Sequence, residues 1–125
     1  MYKFYNPNPS NNFRDDCVVR AIMKLENKSW DDVYLNMCLY GFIEKEMPSV
    51  NRVWKKYLIK LGYKRYVLPN TCPDCYTVQD FCREYPHGKY ILVTDGHVVA
   101  VVDGDYYDAF DSGDEMPIYY WHKED

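Results

Sequence analysis

The chain has 125 residues, a length that predicts one domain over 1–125 whose core needs no staples. Apolar residues make up 47%, an ordinary globular share, and the net charge is −4. That charge, with no run of Lys and Arg, argues against a phosphate-binding surface and a nucleic-acid partner, and no apolar run approaches the roughly 20 residues of a membrane span.

The opening "MYKFYNPNPSNNF" has no apolar core of a signal peptide. A cytoplasmic protein is therefore expected. Residues 1–14, rich in Asn and Pro, read as an extended arm or loop. A helix follows from Cys17, with Asp15 or Asp16 as its N-cap and Val18, Ile22 and Leu25 on its apolar face. Ser29 and Asp32 form a capping-box pattern that opens a second helix, striped by Trp30, Val33, Met37 and Tyr40. Gly41 and Pro48 bracket a break. Ser49 can cap a third helix running to about Leu61, where Gly62 supplies the stop.

"YKRYVL" reads as a short strand. Thr77 and Asp80 cap a short helix that ends before the "PHG" turn. "KYILVT" is a strand, and "HVVAVVDGDYYDAFD" is a hairpin about Asp103-Gly104. "IYYWH" supplies a last strand. Helices first and antiparallel strands last predict an α+β fold, with the helices packed on one face of a small C-terminal sheet.

Nucleophilic cysteine chemistry needs a thiol that loses its proton, a base that takes it and a third group that holds the base. A helix N-terminus favours the thiolate through its dipole and free N–H groups, and Cys17 stands at one. His97 opens a later strand and is the candidate base. The acid depends on register. A three-residue connection at Asp103 to Asp105 puts Asp111 opposite His97, whereas a two-residue turn brings Asp108 to the His97 face instead, one pair along.

A Cys at a helix start, the strand "GHVVAVVDG" and an acid after the following strand give the chain a resemblance to the papain-like cysteine peptidases. The bacteriocin-leader-processing peptidases are the nearest branch. "FDSG" at 110–113 is similar to the Asn-Ser-Trp-Gly of papain, with Asp in the Asn place. The resemblance implies a papain-like fold and Asp111 as the orienting acid. It also implies an oxyanion-hole amide from Asn11, where the family has Gln. The implied activity is that of a peptidase or isopeptidase working through a Cys-His-Asp triad and a thioester. It requires no cofactor, and its partner is a peptide or protein substrate. A transglutaminase-like acyl transferase is an alternative. So is a non-catalytic interaction module on the same fold, from a phage or bacterium, binding through its tyrosines.

A second constellation competes with this one. "CPDC" places Cys72 and Cys75 at metal-ligand spacing, and Cys82 and His87 follow, so a zinc site can be drawn. Cys72 and Cys75 also have the spacing of a redox pair. The ligand order matches none of the common fingers and no βαβ pattern surrounds the pair, so a metal-free loop is expected. The odd total of five cysteines favours reduced thiols over a disulfide framework.

Overall fold

The computed structural model describes residues 1–12, 15–69, 71 and 73–124. In chain order the elements are β1 (Tyr2–Phe4), α1 (Cys17–Glu26), α2 (Trp30–Glu44), α3 (Asn51–Leu61), β2 (Lys64–Val67), α4 (Val78–Glu84), β3 (Lys89–Thr94), β4 (His97–Val102), β5 (Asp105–Asp108) and β6 (Tyr119–His122). The strands form one six-stranded sheet in the order β1-β5-β4-β3-β6-β2.

The sheet is mixed. β1 runs parallel to β5, and the other pairs are antiparallel. The expected N-terminal arm is therefore in part an edge strand, with Phe4 paired to Asp108.

Helices cover both faces, which corrects the expectation of a one-sided packing. Ile91, Val93, Val98, Ala100 and Trp121 meet α1, α2 and α3, while Tyr90, Leu92, Val99 and Val101 meet Val78, Phe81 and Cys82 of α4. The cause is visible in the strands. "YILV" and "VVAV" are apolar at successive positions, the signature of a strand buried on both sides, and each side needs its own cover.

Local chemistry sets the helix ends. Ser29 accepts a hydrogen bond from the Asp32 N–H, and Thr77 and Asp80 cap α4 reciprocally. α2 does not stop at Gly41. It runs to Glu44 and closes on left-handed Lys45. Gly41 is there for contact, since a Cβ would lie 2.7 Å from the Glu46 carbonyl oxygen. The N-cap of α3 is Val50 rather than Ser49, and its side chain makes no capping bond.

The β4–β5 turn sets the register of the hairpin. Val102 pairs with Asp105, so the connection is the two residues Asp103 and Gly104. Both have positive φ, 50° and 82°, as a hairpin twisted with its strands requires.

Candidate active site

The two-residue turn decides the acid. Pairing continues from Val101–Tyr106 to Ala100–Tyr107, and one step further sets Asp108 against Val99. Asp108 thus shares the His97 side of the hairpin, one pair along. Its Oδ2 lies 2.5 Å from His97 Nε2. Asp111, which the resemblance favoured, is turned elsewhere. It accepts the Tyr106 hydroxyl at 2.5 Å and the Gly113 N–H at 3.0 Å. The longer turn that would have placed it under His97 is not formed, because Asp105 is already paired in the ladder.

His97 also hydrogen-bonds Cys17. Cys17 comes from the first residue of α1, His97 from the first of β4 and Asp108 from the last of β5. α1 packs along β4 and β5, which brings all three to one end of the sheet. The Phe110 ring lies tilted against the imidazole, with ring centroids 4.9 Å apart.

Asp108 is 1% exposed and its two oxygens are fully used. Oδ1 accepts from Arg20 Nη2 at 3.2 Å and the Ala109 N–H at 2.7 Å. Oδ2 accepts from His97 and from the Ser112 hydroxyl at 2.8 Å. Burial opposes the charge, but the His97 hydrogen bond, its charge and the Ser112 and Ala109 donors hold the carboxyl below its ordinary range. For His97, burial disfavours the imidazolium. The hydrogen bonds and charges of Asp108 and Cys17 outweigh it and push the pKa up to about 9.

Arg20 holds the far side together. Its guanidinium is buried on α1, one helical turn after Asp16, and bonds Asp16 Oδ1 at 2.5 Å with Nη1. Asp16 Oδ2 accepts from Asn8 Nδ2 at 2.9 Å and the Trp30 indole at 3.1 Å. Asp16 occupies the N-cap position, yet its side chain makes no capping bond, and the first turn carries no acid. The start of α1 therefore keeps its positive end beside Cys17.

Other expected residues fall elsewhere. Asn11 is exposed and has φ 59°, and the buried amide of that segment is Asn8, whose oxygen accepts the Ser10 and Asn12 N–H groups. Of the zinc candidates, Cys72 lies outside the described residues, and Cys75 is disulfide-bonded, so the expectation of reduced thiols fails there. Cys82 is buried against Leu92 and Val101 on α4, where its thiol serves the core. His87 follows α4 in a turn, where its carbonyl accepts the Tyr90 hydroxyl. No group of three or more His, Cys, Asp or Glu side chains among the described residues could hold a metal ion. Also among the described residues, no helix is long and apolar enough to cross a membrane.

Arg20 and Ser112 escaped the sequence reading. Arg20 did leave a signal, since it is a cation on a face otherwise filled by Val19, Ile22 and Met23, with an aspartate four residues before it. Ser112 left none. No family model matches this chain, and neither a curated protein nor a solved structure does.

Proposed function

We propose that the protein is a cysteine peptidase or isopeptidase that works through a thioester, with Cys17 as nucleophile, His97 as proton carrier and Asp108 as the orienting acid. One observation carries this reading: His97 interacts with both Cys17 and a buried, fully bonded carboxylate. The resemblance to papain-like peptidases supports the same roles, with Asp108 in the place of Asp111.

At neutral pH His97 holds a proton, since its pKa stands near 9. The Cys17 thiolate attacks the substrate carbonyl carbon and the C=O electron pair moves onto oxygen. The Cys17 backbone N–H, at the uncapped start of α1, is the candidate donor to that oxyanion. His97 gives its proton to the departing amine nitrogen, the C–N bond breaks and a thioester remains. A water then attacks while His97 takes one of its protons. The C–S bond breaks, the acid leaves and the thiolate returns. Asp108 stays ionised throughout and fixes the ring.

Thiol reactivity tests this directly. Cys17 and Cys38 are both partly exposed. With iodoacetamide at pH 7 and peptide mapping, Cys17 is expected to alkylate at least ~10-fold faster than Cys38. His97→Ala should erase that advantage. Cys17→Ala should abolish turnover of a fluorogenic peptide library while the fold persists. Equal alkylation of the two thiols in the wild type would remove the enzyme reading.

A further inference from the structure

We infer that the cleft between the start of α3 and the β2–β6 ribbon is a binding site for a compact oxyanion, a phosphoryl or sulfuryl group on a small soluble molecule. The cleft encloses about 280 Å³ and is lined by Asn51, Arg52, Lys55, Arg65, Tyr119 and Trp121. It is far smaller than the surface a nucleic acid would need, and it lies on a chain of net charge −4. Sequence showed no basic patch because its three cations come from α3 and β2, separate elements that only the fold joins.

Strand geometry explains the assembly. Arg65 is the cross-strand partner of Trp121, so both side chains stand on the α3 side of the sheet, and Tyr119 joins them two residues before. The Arg65 guanidinium lies 4.3 Å over the Tyr119 ring. Arg52 and Lys55 project from the first turns of α3, three residues apart on one face. Arg52 pairs with Glu46 at 2.6 Å, where both are exposed.

Two further features point to an anion. α3 starts without a side-chain cap and without an acid in its first turn, and its first two residues, Asn51 and Arg52, line the cleft, so the positive end of its dipole lies there. The Trp121 side chain is 2% exposed and its indole N–H is buried without a hydrogen-bond partner. Buried donors are nearly always satisfied, and this one belongs to a residue that lines the cationic cleft. The neighbouring Trp54 shows the contrast, since its indole N–H donates to Asn51 Oδ1 at 3.1 Å. That bond leaves the Asn51 NH₂ as a donor end at the cleft mouth. A tetrahedral dianion can accept from several of these groups at once, which a planar monoanion matches less well.

The test uses the whole protein and inorganic phosphate as probe. Calorimetric titration should give saturable binding, and phosphate should raise the melting temperature beyond sodium chloride of equal ionic strength. Lys55→Ala and Arg65→Ala should each weaken binding about tenfold, the loss of one charge-assisted contact. Trp121→Phe should weaken it too, by removing the donor. If that variant does not fold, the two exposed-cation variants decide alone. A phosphate shift equal to that of chloride, or unchanged in the Lys55→Ala/Arg65→Ala double variant, would overturn the site. Arg65-dependent sedimentation with phosphatidic-acid vesicles would overturn the soluble-ligand assignment, and the protein is expected to stay in the supernatant.

Discussion

Asp108 and Asp111 stand three residues apart at the end of one hairpin, and both carboxyls are held below their ordinary range. The causes differ. Asp111 is exposed and owes its shift chiefly to the Tyr106 hydroxyl and the Gly113 N–H. Asp108 is buried, opposed by desolvation, and kept ionised by His97, Ser112 and a backbone donor. The first carboxylate braces a loop. The second sits between two cations, Arg20 and His97, which offset the cost of burying its charge. A shifted pKa alone therefore does not distinguish a bracing acid from an orienting one, whereas burial and the identity of the partners do.

The sharpest way to break this contrast is to neutralise each acid in turn. Asp108→Ala should lower turnover on the order of 10⁴-fold, because the imidazole loses the acceptor that fixes its tautomer and orientation. Asp111→Asn should leave turnover and Cys17 alkylation at wild-type rates. Kinetics on the same substrate decide the matter. A large loss in the Asp111 variant, with little in the other, would reverse the assignment.

Arg20→Met comes next. It strands Asp16 and Asp108 as buried carboxylates without their shared cation, at a cost of about 3–5 kcal/mol. Thermal unfolding should show a melting temperature lower by more than about 10 °C. A variant that melts with the wild type would show that His97, Ser112 and the backbone donor carry Asp108 by themselves.

The pH dependence of stability rests on the same His97–Asp108 pair. His97 binds its proton more tightly folded than unfolded, with a pKa near 9 against 6.5. Its stabilisation is complete below about pH 6.5 and is lost as pH rises through about 9. Asp108 is shifted down, so its share is present above the ordinary carboxyl pKa and is lost as pH falls through the lowered one. These are two views of one ion pair and are not added. Urea midpoints should decline between pH 7 and 10 in the wild type and stay flatter in His97→Gln. The smallest effect is expected from Tyr106→Phe, which removes the Asp111 partner. It should cost about 1 kcal/mol without touching Cys17 reactivity.

Much of this was legible in the residues. The reciprocal cap at Thr77 and Asp80 and the Asp-Gly turn rest on local chemistry, which needs no knowledge of the rest of the chain, and the helix start at Cys17 was placed correctly although Asp16 does not cap it. Two things were not legible. Whether Asp105 belongs to the turn or to the strand depends on pairing energies along the whole hairpin, and that single residue selects Asp108 over Asp111. The second is the far face of the sheet. Unbroken apolar runs announce that both sides are buried, but nothing local says that α4 supplies the second cover or that Tyr2–Phe4 closes the edge. Arg20 shows the limit from another side. A cation on an apolar stripe signals a buried partner, and only the packing of α1 against β5 names it.

The Asp103-Gly104 turn also makes the gene fragile in a particular way. Strand side chains alternate, so one codon inserted or deleted between Gly104 and Asp105 would carry Asp108 to the opposite face of the sheet. Cys17, His97, Asp108 and Arg20 would all survive in the translated chain while the arrangement they form was lost. Among descendants of this gene, the length of that turn should therefore be a better guide to whether this arrangement is kept than the presence of the residues themselves.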